Sequence, residues 1–254
     1  MPALRAAPGP RKRRRAVWSA TAVAVAALVG MALMRDGERP PEPPPASQQA
    51  DGGAQDTAPV PRMFDGVRWR SFHGIDLPYS PAHGPGRRDG ELVSGFARTP
   101  AGALLAALHI GVRANAQWGP GVFEPTVRQQ VVGSDAGLLL LQCRNLYARQ
   151  REAAGVPEGE PLGAVQAVQE AYRWNHYSAN EATVDLLTAG PSAGAGAGSD
   201  AAGGGIVRAV TRLQLVWRRG DWRVVAPPGG DWSGASSQVG SAAGYTPFPG
   251  ARTP

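Results

Sequence analysis

The stretch Ile206-Val207-Arg208-Ala209-Val210-Thr211-Arg212-Leu213-Gln214-Leu215-Val216-Trp217, continued by Arg218-Arg219-Gly220-Asp221 and Trp222-Arg223-Val224-Val225, decides the fold class of this 254-residue chain. Side chains of a strand alternate between two faces. The spacing therefore puts Val207, Ala209, Thr211, Leu213, Leu215 and Trp217 on one face, with Arg208, Arg212 and Gln214 on the other. Gly220 and Asp221 mark a tight return into a second strand, a hairpin signal. Upstream, Glu181 to Leu187 alternates more weakly, and the segment from Ala164 to Tyr177 places Val168, Tyr172 and Trp174 on one side. The reading is an antiparallel sheet with one apolar face. Residues 190–205, a run of Gly, Ala and Ser, read as a long flexible hairpin tip. The tail 227–254 is turn-rich, with Trp232, Tyr245 and Phe248 available to dock it.

Helices are expected before this sheet. Thr99 suits an N-cap and Pro100 the first helical position, where a missing N–H costs nothing. Leu104, Leu105, Leu108 and Val112 then recur at helical spacing as one apolar stripe, until Trp118-Gly119-Pro120-Gly121 stops the pattern. A short second helix is expected from Pro125 through Val131. A third runs from Ser134-Asp135 to Gly155, with Leu139, Cys143, Leu146 and Tyr147 on one face. Residues 63–97 carry Phe64, Trp69, Phe72, Tyr79 and Phe96 among many Gly and Pro, and read as an extended arm with one short strand at most. The expected class is α+β, three helices followed by a curved antiparallel sheet.

The formal charge is +6, from 26 bases and 20 acids. Arg5, Arg11, Lys12, Arg13, Arg14 and Arg15 carry all of this excess, so the rest of the chain is balanced. A basic tail is not the footprint of a nucleic-acid-binding domain, and direct nucleic-acid contact is not expected. It is the flank of a membrane span: Ala16 to Met34 is a charge-free run of 19 residues, about 28 Å as a helix against ~30 Å of hydrocarbon. Trp18 suits the interface, and the cationic flank Arg11, Lys12, Arg13, Arg14, Arg15 places the amino terminus in the cytoplasm. A cleaved signal peptide shares the basic start, but its apolar core is about 7–15 residues and it ends in small residues, whereas this run ends in Met31-Ala32-Leu33-Met34. The expected layout is a cytoplasmic tail 1–15, a transmembrane helix preceding the α+β fold at 16–34, a Pro-rich linker 35–62 and an extracytoplasmic domain 63–254. That is a single-pass protein of the cell membrane. Cys143, the one cysteine, lies among leucines and reads as a small buried hydrophobe.

Helices first and a curved antiparallel sheet afterwards is the order of the cone-shaped nuclear transport factor 2-like (cystatin-like) fold. The chain also carries Gly95-Phe96-Ala97-Arg98-Thr99-Pro100-Ala101-Gly102-Ala103, Phe123-Glu124-Pro125-Thr126, Gln130-Val131-Val132-Gly133 and Ala182-Thr183-Val184-Asp185-Leu186-Leu187. Gly220 through Trp232 and Gly244-Tyr245-Thr246-Pro247-Phe248-Pro249-Gly250 follow. By these stretches, residues of about 68–250 resemble an uncharacterised actinobacterial membrane-anchored family associated with conjugative elements. The layout of anchor, linker and domain is similar to that of the inner-membrane assembly factors of type IV secretion systems.

No catalytic signature stands out. An enzyme with a pocket in such a cone would pair a histidine with a carboxylate, and His109, His176 and Asp185 are the candidates. Each also has a bland reading, His109 beside the apolar stripe above all. His73 and His83 lie ten residues apart in loops without metal-ligand spacing. The arginines 208, 212, 218, 219 and 223 read as the solvated face of a hairpin, and Gly203-Gly204-Gly205 lacks the lysine and the strand-to-helix context of a phosphate loop. No cofactor, metal or catalytic residue is expected. The favoured function is a non-catalytic, membrane-anchored assembly component of a conjugation or type IV secretion-like complex. Its partners are the membrane and other proteins of that complex, and a homo-oligomer is compatible with it. The runner-up is an exported ligand-binding protein or enzyme with a pocket in the domain.

Overall fold

The computed structural model describes residues 64–191 and 205–250. The tail 1–15, the span Ala16–Met34, the linker 35–62 and most of the loop 190–205 lie outside the described residues. Among the described residues, no helix is long and apolar enough to cross a membrane.

Two hairpins come first, in place of the extended arm. β1 (Arg68–Phe72) pairs with β2 (Ile75–Tyr79), and β3 (Arg87–Asp89) with β4 (Leu92–Ser94). The first turn needs positive φ at both His73 and Gly74. A Cβ on Gly74 would lie 2.5 Å from the Val165 carbonyl oxygen, so only glycine fits against that neighbouring backbone.

Helix α1 (Pro100–Arg113) begins as expected, with the Thr99 hydroxyl accepting the Gly102 N–H at 3.0 Å and Pro100 in the first turn. Instead of one apolar stripe, almost every residue of α1 is buried, because β1–β2 packs on one side of it and the main sheet on the other. Small residues permit this close approach: a Cβ on Gly111 would already sit 3.0 Å from Leu213 Cδ1. Helix α2 (Pro120–Gln130) starts five residues before the expected Pro125. Two prolines compete for the first position, and the one that follows positive-φ Gly119 takes it. Helix α3 (Ala136–Ala154) ends at left-handed Gly155.

Between α2 and α3 the chain forms β5 (Val131–Val132), and after α3 come β6 (Val168–Tyr177), β7 (Glu181–Pro191), β8 (Ile206–Arg218) and β9 (Asp221–Val225). The short β10 (Ser236–Val239) and β11 (Thr246–Pro247) complete the sheet. Its seven strands run β11-β6-β7-β8-β9-β5, with β10 also paired to β8. The α+β class stands, but the curved antiparallel cone is corrected. Strands precede the helices, and β5 lies parallel to β9, so the sheet is mixed. Val131–Val132 is too short to show any period, which is why alternation alone could not reveal a parallel edge strand.

Both faces of the sheet are covered in part. Val184, Leu186, Leu213 and Leu215 enter the main core with α1, whereas Ala171, Leu187 and Val210 face away and meet Val239, Ala242 and Tyr245 of the tail. The deepest aromatic in β9 is Trp222, fully buried, donating its indole N–H to the Ala97 carbonyl at 2.9 Å. Trp217 is only half-buried against it, the ring centroids 5.5 Å apart. Trp222→Ala is expected to cost about 3–5 kcal/mol, and Trp217→Ala clearly less. Urea unfolding of the two variants checks this order.

Candidate functional site

The three residues that a proton-transfer pocket would combine do not meet. His109 projects from α1 towards the first hairpin, on the main-core face of the sheet. Asp185 lies on the opposite face, in β7, two residues before Leu187 on the same side of the strand and opposite Arg173 and Arg212. His176 is exposed near the β6–β7 turn.

His109 is wholly buried and fully used. Its Nε2 lies 2.7 Å from the Pro78 carbonyl oxygen, and its Nδ1 lies 2.8 Å from the Arg113 guanidinium. A carbonyl and a guanidinium on the two nitrogens assign the proton to Nε2, with Nδ1 accepting. The rings of Tyr79 and Phe96 enclose it. Arg113 donates onward to the Glu91 carbonyl at 3.0 Å and lies 4.2 Å over the Phe72 ring. Burial, then the adjacent Arg113 charge, push the His109 pKa down to about 3. A neutral imidazole of this kind staples α1 to the hairpin and is no general base.

Because the folded pKa lies below the usual unfolded value of about 6.5, the unfolded chain binds a proton that the folded chain refuses. The stabilisation is complete above pH ~6.5 and is lost as the pH falls towards 3. Stability should drop by about 2 kcal/mol between pH 6.5 and 5 from this group. In His109→Gln the drop should shrink by about that amount, as read from chemical unfolding at a series of pH values.

Asp185 anchors the second network. Its carboxylate is 1% exposed. Arg212 donates from Nε to Oδ1 at 2.7 Å and from its terminal nitrogen to Oδ2 at 3.1 Å, and Arg173 donates to Oδ2 at 2.8 Å. Burial raises the Asp185 pKa, but the hydrogen bonds from Arg212 and Arg173 outweigh it and hold the carboxyl below its usual range. Arg173 also lies 4.5 Å over the Tyr245 ring. A few residues along the sheet, Glu170 and Arg208 pair through two bonds of 2.7 and 3.0 Å. Arg208 and Arg212 are therefore more than the solvated face expected of them. Alternation finds which side they occupy, but not the buried acid beneath. Arg212→Ala should cost about 1–3 kcal/mol by stripping a buried carboxylate of its bidentate partner. Arg218→Ala, at an exposed turn, should stay within about 0.5. Thermal unfolding of the pair tests the difference.

Arg173, Asp185 and Arg212 form the floor of a cleft of about 720 Å³ on the far face of the sheet. Arg173, Asp185, Arg212 and Gln214 line it from the sheet, Ser134 and Asp135 from the start of α3, Trp232 from the loop after β9, Ser236 from the start of β10, and Tyr245 from the tail. A smaller cavity of about 220 Å³ lies between α3 and the same loop, against Gln142, Cys143 and Trp232. Burial pushes the Cys143 thiol up to about 12, so it is a protonated, unreactive wall. Trp232 lines both spaces, and its buried indole N–H has no acceptor among the described residues.

The remaining histidines are structural in setting. His73 stacks on Trp118 at 5.3 Å, and His83 Nδ1 lies 3.2 Å from the Thr99 hydroxyl. Among the described residues, no group of three or more His, Cys, Asp or Glu could hold a metal ion. The stretches that carried the family resemblance turn out to touch one another. Asp221 accepts the N–H groups of Gly95 and Phe96 at 2.8 and 3.0 Å, and the Trp222 indole N–H donates to the Ala97 carbonyl at 2.9 Å.

Fold and site together define a mixed α+β domain with a donor-rich cleft of about 720 Å³ on the outer face of its sheet. The chain belongs to the family described as Domain of unknown function (DUF8175), whose model matches residues 34–247. Comparison with curated proteins and with solved structures finds no match.

Proposed function

We propose that this chain is a membrane-anchored assembly component that works by presenting its domain to partner proteins outside the cytoplasm, without chemistry of its own. The observation that supports this most is how the polar residues are spent. The buried histidine and the buried carboxylate that a pocket enzyme would combine are on opposite faces of the sheet, each fully engaged in holding the fold. The open feature is a groove for binding, lined by half-exposed arginines.

The setting we propose for it is an apparatus of the conjugation or type IV secretion kind, as in the actinobacterial proteins that the sequence resembles. The charge asymmetry around the apolar run Ala16–Met34 supports the anchor and its orientation. Tethering supports assembly physically, since it holds a domain near its partners at high effective concentration without any new contact. An enzyme acting on a diffusible substrate gains nothing from it.

Replacing residues 1–34 by a cleavable signal peptide should export a folded domain that no longer complements a deletion strain. An unrelated anchor of the same orientation should restore complementation at least in part. Full complementation by the free domain at native abundance would overturn the proposal.

A further inference from the structure

The cavity of about 220 Å³ between α3 and the loop after β9 is, unlike the cleft, mostly apolar. Leu139 and Cys143 of α3 form its floor with Ala116 and Ala209, all four buried, and half-buried Trp232 closes one side. The loop is pinned to α3 at two points. The Gln142 amide donates to the Gly229 carbonyl at 2.7 Å, and a Cβ on Gly230 would lie 2.5 Å from the Leu139 backbone nitrogen, so the two backbones are in contact. On the other side β10 pairs with β8, and the Ser236 and Thr211 hydroxyls lie 3.0 Å apart. The space is thus held open by the fold itself, as in pre-formed ligand sites.

Its polar chemistry is narrow. Asn115 lines the cavity and is only 8% exposed. Its Oδ1 accepts the Gln117 N–H at 2.9 Å and caps the short turn Ala116–Trp118. The NH2 of the same carboxamide has no acceptor among the described residues, yet it is not sealed off as the Trp232 indole N–H is. A reachable donor set in an apolar wall needs an oxygen from outside the chain. At the rim, Arg149 and Asp231 carry opposite charges, so the site selects neither sign.

We propose that this cavity binds a small uncharged ring compound bearing a carbonyl group, the class of aromatic amides and ketones. A cavity of about 150 Å³ admits benzene, so 220 Å³ has room for one ring with a short substituent. The ring packs on Leu139, Cys143 and Ala209 against Trp232, where aromatic pairs gain beyond the area they bury. The carbonyl oxygen accepts the free N–H of Asn115. A hydrocarbon of the same size leaves that donor unpaired, and a carboxylate meets Asp231 as well as Arg149 at the rim. The site needs neither the tether nor the cleft, and goes beyond the assembly role proposed above.

The test follows para-fluorobenzamide by fluorine NMR as it is titrated with the full-length chain in detergent micelles. Beside it runs para-fluorotoluene, which has the ring but no acceptor. Both probes partition into micelles, so each is compared between the native chain and its variants. The amide should bind saturably, with a Kd of about 1 mM or tighter. Asn115→Asp keeps the oxygen that caps Ala116–Trp118 and removes the NH2. At about pH 8, where a carboxyl is ionised, it should weaken the amide by about tenfold or more and the toluene by less than about threefold. Gln238→Trp, at an exposed position of β10 on the cavity side, should block the mouth. Both probes should then weaken by about tenfold or more, with the circular dichroism spectrum unchanged.

Absence of saturable amide binding by the folded chain would leave the cavity to water and overturn the proposal. Equal losses of both probes in Asn115→Asp, or unchanged amide affinity in either variant, would overturn it too. Should Asn115→Asp not fold, Asn115→Ser takes its place, since a serine hydroxyl caps the same turn but is too short to reach the ligand, and the same selective loss is expected. None of these readings depends on the tether, so this inference and the assembly role fail separately.

Discussion

The fold depends on satisfying a helix that has no wet side. Because α1 is covered by the first hairpin on one side and by the sheet on the other, any polar group along it must find its partner indoors. An unpaired buried polar group costs more than a typical hydrogen bond returns. His109 and Arg113, one turn apart, meet this requirement together. The imidazole gives its proton to the hairpin's backbone and takes a hydrogen bond from the guanidinium, which continues to Glu91 and to the face of Phe72. A residue type that often signals catalysis is here the means by which a helix can be buried all round.

A second set of contacts fixes where that helix begins. Asp221, at the start of β9, accepts three N–H groups, from Gly95, Phe96 and Trp222, while Trp222 donates to the Ala97 carbonyl. The segment before α1 is thereby held against the end of a strand more than a hundred residues later, and Arg98 reaches from it to the Ala179 carbonyl at the β6–β7 turn. Two stretches that looked like separate signatures in the sequence are one structural joint. Their residue types follow from it: a carboxylate for the open amides, a glycine at positive φ, and an indole long enough to reach the backbone.

The long regular elements were legible in the sequence, and the short ones were not. β8 and β9 announce themselves by alternation, and α1 by Thr99-Pro100. The edges β5 and β11 span two residues each, which no periodicity can reveal, and β5 is the strand that turns an antiparallel sheet into a mixed one. The first hairpins hide behind glycine and proline, because their strands are only three to five residues long. Of the site, His109 and Asp185 were visible as titratable residues, but which face each would occupy depends on the placement of α1 and on strand register, both tertiary facts. The cleft was not legible at all. It exists because residues 226–235 leave the sheet and return to it, and its polar floor requires Arg173 and Arg212, on different strands, to converge on one acid.

The joint between Asp221 and the segment before α1 also sets an order of events in time. A chain emerging amino-terminus first, whether from a ribosome or through a membrane pore, can form the early hairpins and begin α1 from local contacts. It cannot close the amides at Gly95 and Phe96, or bury α1 beneath Trp222, until residue 222 has arrived. Contacts this distant in sequence are paid for in loop entropy before they return any stability, which slows folding. The nascent domain therefore waits, with its most apolar helix half-covered, for almost its whole length to be delivered.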